Sequence, residues 1–410
     1  MQSNKLTKFL VPGAFALVAF VLYCACSSPK QSDELPPCAI TEPLDSLIAA
    51  VFGDCDNEPG GILEVMRNDT IIYRHTFGVE DMNSQRPITD STVFNMSSTS
   101  KMISCVAVMK LVEDGRISLE DSLSKFFPEF HNEIFDRINV RHILTHTSGL
   151  PDLRPRSQDT WSEFLDDNNT MFAELRDFQL YGMEDQHMKV FSQLKTLEWE
   201  PGTHFQIFDP SLILLAPIVE RVTGEKYPDW VRRNIFIPTG MKEAFYYRFG
   251  IAKPKSAHAY RAFDSALMDS DSYVSPDGRW QEYDFGEVPF FLTQSNRGLF
   301  TSARSYMAFL RLLYDGKVIS MSAIEEMTRP LIDMNLPYAR FGYGIGVHEQ
   351  PGFPKKHYHL NSNGGFAIID GTWPSEDTHY VLFTNRDDWD MRGTCAKVDS
   401  IINANLFVKK

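Results

Sequence analysis

The clearest feature of the hydrophobic pattern is a segment over residues 102–112 that is apolar on nearly every side. A helix that is hydrophobic all round is a buried helix. The pair Asp114-Gly115 follows the segment and supplies a C-terminal stop. The pattern therefore predicts a buried helix that ends just before residue 114.

Strand-like alternation lies towards both ends of the chain, whereas helical spacing dominates the middle. Strands are predicted over 62–66, 71–75, 342–347, 357–361, 365–373 and 379–385. Further helices are predicted over 44–52, 161–194, 211–222, 302–313 and 391–407.

This order of elements predicts an α+β fold, in which both chain ends build one antiparallel sheet flanked by helices. The sheet lobe is expected over about 44–97 and 331–408, and an inserted helical lobe over about 98–330. A cleft where the two lobes meet is the expected place for a functional site.

The amino terminus resembles a secretory signal, because Lys5 and Lys8 precede an uncharged stretch over 9–28. The sequence LYCAC at 22–26 resembles a bacterial lipobox, in which Cys26 becomes the lipidated residue. An uncleaved anchor helix is the alternative, since the stretch is long enough to span a bilayer.

Residues 1–25 are therefore predicted to be a lipoprotein signal peptide, and residues 26–43 a tether between the lipid and a domain over 44–408. Under either interpretation the domain is exported and held at a membrane of a bacterial cell envelope, facing the periplasm or the cell exterior.

Composition is that of an ordinary globular protein, with 43% hydrophobic and 23% charged residues among 410. The net charge of -14 argues against nucleic acid or an anionic bilayer surface as a partner.

A disulfide from Cys38 to Cys55, or from Cys38 to Cys395, would suit an oxidising compartment, and the sequence does not choose between them. No cofactor or metal site is expected, because the His357 and His359 pair lacks a third ligand.

Ser98 and Lys101 stand at the start of the predicted buried helix. Residues three apart share a helix face, so the hydroxyl and the amine can meet. Burial and the positive helix pole disfavour an ammonium, which would let Lys101 take the proton from Ser98. Two further Ser-x-x-Lys copies, at Ser122 and Ser192, do not open a buried helix and serve as internal controls.

Several motifs extend this pattern: TVFNMSSTSK at 92–101, VRHILTHTSGLPDL at 140–153, Pro-Gly-Thr at 201–203 and Gly-Phe at 365–366. Together they resemble the serine β-lactamase-related family of class C β-lactamases, D,D-peptidases and Ser-x-x-Lys esterases, over nearly all of 44–407. The resemblance implies a β-lactamase/transpeptidase-like fold and an acyl-enzyme on Ser98, with Lys101 as base. It also implies an oxyanion hole made by the backbone amides of Ser98 and Ser362.

The segment that follows Pro-Gly-Thr at 201–203 is the family's second motif, and here it departs from the family. The family has a proton-shuttling tyrosine where this chain has Ile207. Ile207 cannot move a proton. Asp209, at the third place of that motif, is predicted either to bind Lys101 or to cap the helix that begins at Ser211.

The stretch just before Gly-Phe at 365–366 is the family's third motif. It keeps a histidine, His359, but has Asn361 where glycine usually leaves room for substrate. Asn361 is expected to crowd the cleft. His359 is predicted either to shuttle protons in place of the missing tyrosine or to be satisfied by a neighbour.

Two functions follow from these observations. The first is an exported serine hydrolase for an ester or amide, with a peptidoglycan-like D-peptide, a β-lactam or a small ester as substrate. The second is a catalytically impaired relative that binds cell-wall peptide, which Ile207 and Asn361 support. The oligomeric state stays open.

Overall fold

The two chain ends meet in one antiparallel sheet in the computed structural model, which describes residues 35–151, 184–207, 209–246, 254–262, 274–282 and 293–407. The predicted signal peptide and most of the predicted helix over 161–194 lie outside these residues. The strands in the described part of the chain are β1 Gly61–Arg67, β2 Thr70–Phe77, β3 Val79–Asp81, β4 Arg86–Pro87, β5 Val93–Asn95, β6 Phe245–Tyr246, β7 Tyr260–Ala262, β8 Trp280–Glu282, β9 Leu299–Ser302, β10 Ile332–Leu336, β11 Ala339–Phe341, β12 Gly346–His348, β13 Lys356–Asn363, β14 Phe366–Trp373 and β15 Thr378–Thr384.

The α-helices within the same residues are α1 Thr41–Phe52, α2 Ser100–Glu113, α3 Leu123–Phe126, α4 Glu133–Arg137, α5 Val140–Leu144, α6 Glu184–Gln193, α7 Leu215–Thr223, α8 Tyr227–Val231, α9 Ile237–Thr239, α10 Ala303–Tyr314, α11 Met321–Met327 and α12 Met391–Leu406. Every described helix is too short or too polar to cross a bilayer.

The large sheet has the strand order β10-β11-β12-β13-β14-β15-β1-β2. Because β1 pairs with β15, the amino-terminal hairpin completes a sheet whose other strands come from the carboxyl-terminal third. The predicted α+β fold with a sheet from both chain ends is therefore confirmed.

Both faces of the sheet are covered, and alternation along β1 sorts its side chains between them. Leu63 and Val65 pack in one hydrophobic cluster with α1 and α12. Ile62 and Met66 point the other way, into the cluster that also contains α2.

Helix α2 confirms the predicted buried helix and begins two residues earlier than expected. Its side chains are buried from Ser100 to Met109 and again at Leu111. The helix ends as predicted, since Gly115 takes the left-handed φ of +68° that follows many helix ends.

The structure differs from the sequence analysis at three points. Of the strand predicted over 342–347 only its end is extended, as part of β12, because the chain bends through the left-handed Gly344. The three-stranded sheet β5-β9-β6 was not predicted. Neither of the two disulfides that the sequence left open is formed, since Cys38, Cys55 and Cys395 are free thiols.

Candidate active site

Ser98 lies in a 3-10 turn, Ser97–Thr99, that leads from β5 into α2. Ser97 has a left-handed φ of +49°, which costs about 1–3 kcal/mol for a residue other than glycine. The Asn95 side chain holds this conformation by accepting a hydrogen bond from the Ser97 amide at 2.9 Å. Ser98 is partly exposed while both neighbours are buried, so the turn presents its hydroxyl region to solvent.

Lys101 lies in the first turn of α2 with only 6% of its surface exposed. Its charge opposes protonation of two buried imidazoles, those of His146 and His359. The predicted pair therefore lies across the junction between the two elements, with Ser98 in the strained turn and Lys101 in the buried helix.

The third motif runs beside this junction on β13. Only Lys356–Tyr358 of β13 pair with β12, so the outer edge of 359–363 is not occupied by that strand. The turn Ser97–Thr99 packs against β13, where the Asn361 side chain donates a hydrogen bond to Thr99 Oγ1 at 2.8 Å. Ser362 is exposed in the same segment, and the oxyanion hole made by the Ser98 and Ser362 amides stays a prediction.

The Asn361 side chain therefore links β13 to the turn Ser97–Thr99 by a hydrogen bond. This hydrogen bond uses one side of its amide, and the side chain is half-buried. The predicted crowding of the cleft stays a prediction.

His359 is buried and both of its ring nitrogens are occupied. Nε2 lies 2.9 Å from the Gly344 carbonyl, and Nδ1 lies 3.1 Å from the Asp370 carboxylate. Burial opposes the charged ring, but the Asp370 charge and the hydrogen bonds to Asp370 and to the Gly344 carbonyl together outweigh burial and raise the pKa of His359.

Since carbonyl and carboxylate oxygens only accept, both nitrogens of His359 donate. No ring lone pair is left to receive a proton. The geometry contradicts the predicted shuttle role of His359 and supports the alternative of a histidine satisfied by its neighbours.

Asp209 is fully buried as the N-cap of the 3-10 turn Pro210–Leu214. Its carboxylate accepts hydrogen bonds from the Ser148 amide at 2.9 Å, the Ser148 hydroxyl at 2.8 Å and the Ser211 amide at 2.8 Å. Burial raises the pKa of Asp209 in spite of these bonds. The capping alternative is confirmed, and the catalytic role predicted for Asp209 is not supported by these contacts.

Ile207 is 47% exposed, so an aliphatic surface stands where the family has a tyrosine. Its backbone carbonyl has a specific partner: His146 Nδ1 lies 3.2 Å from it. The effect of the Lys101 charge on this ring was missed, because nothing in the local pattern of 140–153 signals it.

The two control copies of Ser-x-x-Lys lie elsewhere. Lys125 is exposed and forms an ion pair with Asp121 at 2.7 Å. Ser192 is half-buried at the end of α6, and Lys195 is exposed beyond it. Neither lysine is buried as Lys101 is.

The family model described as Beta-lactamase matches residues 48–400. A penicillin-binding protein of Bacillus subtilis (strain 168) is 26% identical over 317 residues, which are 76% of this chain and 63% of that protein. Esterase EstB of Burkholderia gladioli is 30% identical over 219 residues, 51% of this chain and 54% of the esterase. The chain thus spans less than two thirds of the length of either relative.

A solved penicillin binding protein from Bacillus halodurans has a TM-score of 0.68 to this structure at 20% identity, covering 87% of this chain and 99% of that one. This similarity shows a shared β-lactamase/transpeptidase-like fold. From the family match over most of its length, together with this fold, we conclude that the chain belongs to the Beta-lactamase family.

Proposed function

We propose that the protein is an exported, membrane-tethered serine hydrolase that forms an acyl-enzyme on Ser98. The observation that carries the proposal is the junction itself: a partly exposed serine in a strained turn, directly before a helix that buries Lys101. Strained backbone of this kind persists where the surrounding structure fixes a residue for function.

In the proposed reaction the Ser98 hydroxyl loses its proton to Lys101 as Oγ attacks the substrate carbonyl carbon. The carbonyl π-electrons move to oxygen, where the amides of Ser98 and Ser362 stabilise the negative charge. The oxygen reforms the carbonyl, the bond to the leaving group breaks, and that group takes the proton from Lys101. Water then repeats the sequence and releases the acid and free Ser98.

The proposed substrates are a peptidoglycan-like D-peptide, a β-lactam or a small ester. Two relatives support this range, because one is named a penicillin-binding protein and the other an esterase. The second candidate, an impaired binding protein for cell-wall peptide, is favoured by the exposed Ile207 in place of tyrosine.

Labelling with a fluorophosphonate and with a fluorescent penicillin separates the two candidates. We expect at least one probe to label the wild-type protein, Ser98→Ala to abolish that label, and Ser122→Ala to keep it. Ser122 is the matched control because it belongs to a Ser-x-x-Lys copy whose lysine is exposed. An unlabelled wild type that binds a muropeptide saturably would establish the binding protein instead.

The proposed tether rests on the lipobox-like sequence at 22–26. Expression in a bacterium with an alkyne-labelled fatty acid is expected to give a labelled protein in the membrane fraction. Cys26→Ser is expected to remove the label, and Cys24→Ser provides the matched control that keeps it. Membrane association of the Cys26→Ser variant without lipid would favour the uncleaved anchor helix.

A further inference from the structure

Within the described part of the chain, the Asn361 side chain makes a single hydrogen bond, which crosses from β13 to the turn Ser97–Thr99. Its Nδ2 donates to Thr99 Oγ1 at 2.8 Å. Its other polar atom, Oδ1, is buried, and no described residue forms a hydrogen bond with it. A buried acceptor without a partner lowers stability and needs an explanation. The explanation has to lie in what the single bond connects.

The bond joins the chain neighbours of the two amides proposed for the oxyanion hole. Thr99 directly follows Ser98, and Asn361 directly precedes Ser362. Consecutive Cα atoms are only about 3.8 Å apart, so little slack lies between the bond and either amide. A bond between Thr99 and Asn361 therefore limits how far the backbone at Ser98 can move from the backbone at Ser362.

Both ends of this bond are held by other contacts. Thr99 is fully buried, and its amide donates a hydrogen bond to the Met96 carbonyl at 3.0 Å. Asn361 pairs across the sheet with Ile368 of β14, which is also fully buried. The bond therefore sets a distance between two fixed pieces of backbone.

Few other restraints act between these two pieces of backbone. Thr99 and Asn361 are 262 residues apart in the sequence, and among the described residues theirs is the one hydrogen bond between the turn and β13. The segment 359–363 pairs with β14 on one edge, whereas the pairing with β12 ends at Tyr358. Packing brings the two elements together, but the Asn361 bond is what fixes their register.

A second asparagine holds the other end of the same turn. The Asn95 side chain accepts from the Ser97 amide at 2.9 Å and donates to the Arg297 carbonyl at 2.9 Å. The turn is thus held before Ser98 by Asn95 and after Ser98 by Asn361. Two distant segments of the chain therefore determine where the Ser98 amide lies.

We propose that Asn361 is a positioning residue that sets the separation of the Ser98 and Ser362 amides, so that both reach the oxyanion that forms during acylation. The inference rests on the proposed hydrolase function. Oxyanion donors act only within about 2.7–3.1 Å of the charged oxygen, so a small change in this separation weakens them. The glycine that the family has at this place carries no side chain and cannot make the bond.

The test compares an ester with its thionoester, in which sulfur replaces the carbonyl oxygen. Sulfur is larger than oxygen and a weaker hydrogen-bond acceptor, so amides placed for oxygen favour the ester. The substrates are para-nitrophenyl acetate and the matching thionoester, and the rate counted is the part of nitrophenolate release that Ser98→Ala abolishes. A purely structural defect slows both reactions alike and leaves their ratio unchanged.

Asn361→Ala removes the bond and is expected to lower the ratio of ester to thionoester rates about tenfold, less than the 100-fold or more that follows loss of a whole donor. Thr99→Val removes the acceptor at similar shape and is expected to do the same. The double variant is expected to match either single variant, because both changes remove one interaction. Thr99→Ser keeps the hydroxyl and is expected to retain the wild-type ratio.

A wild type whose Ser98 is not acylated by the ester would overturn the proposed hydrolase, and this inference with it. Acylation with an unchanged ratio in Asn361→Ala would overturn only the role of Asn361, and so would a double variant in which the two effects multiply. Should Asn361→Ala fail to fold, the comparison of Thr99→Val with Thr99→Ser decides by the same ratio, and equal ratios would overturn the inference.

Discussion

Asp370→Ala is expected to lower the free energy of unfolding by about 3–5 kcal/mol, the usual cost of removing one partner of a buried ion pair. The Asp370 carboxylate accepts from three donors: the His359 ring, the His359 amide and the Tyr306 hydroxyl at 2.9 Å. Alanine leaves all of them buried without this acceptor. Urea denaturation at pH 6, followed by tryptophan fluorescence, measures the loss.

The pH dependence gives a second, independent measure of the same pair. The pKa of His359 is raised in the folded protein, so its contribution is complete below pH 6.5 and is lost as the pH rises through the folded pKa. Wild-type stability is therefore expected to fall above pH 6.5 through this group.

Asp370→Asn is the matched control for the charge. The amide keeps a hydrogen-bonding group beside His359 but removes the charge that opposes burial. Burial then lowers the pKa of His359, so this variant is expected to lose stability as the pH falls below 6.5. An Asn variant with the wild-type pH dependence would contradict the assignment of a charged His359.

Gly344→Ala is expected to lower the free energy of unfolding by about 2–5 kcal/mol, because of left-handed backbone strain together with overpacking. Gly344 has a φ of +71°, and an added Cβ would lie 2.3 Å from Cys105 Sγ. Cys105 follows Lys101 by one turn of α2, and the Gly344 carbonyl accepts from His359. The same substitution is therefore expected to slow acylation of Ser98.

Cys105→Ala provides the rescue, because it removes the sulfur atom that the new methyl group would meet. A double-mutant cycle in urea is expected to show a favourable coupling of about 1–3 kcal/mol between the two substitutions. The strain at φ +71° remains in the double variant. Additive effects of the two changes would show that the close approach of Gly344 to α2 is not what limits this position.

The parts of the fold that the sequence predicted well are those fixed by local pattern. Helix α2 is apolar on nearly every side over 102–112, and the hairpin of β1 and β2 alternates around Asn68 and Asp69, which take the left-handed conformations of a tight turn. The bend at 342–345 failed as a prediction because Gly344 is positioned by a close contact with α2, far away in sequence.

The nucleophile and its lysine were recognisable from spacing, whereas the roles around them depend on distant partners. Asp209 has a carboxylate in either role, and only its hydrogen bonds from the Ser211 amide and from Ser148, 61 residues away, show that it caps the turn. His359 has the right residue type for a proton shuttle, and only Asp370 and Gly344 show that its nitrogens are used.

The pairing of Gly61 with Thr384 also sets when this protein can finish folding. Contacts between residues so far apart close late and slowly, and β1 has no neighbour on its β15 side until residues 378–384 have been synthesised. A product terminated before residue 378 would lack β15, leaving β1 and β14 with open edges that invite aggregation. A chain that ends before residue 378 is therefore expected to be insoluble.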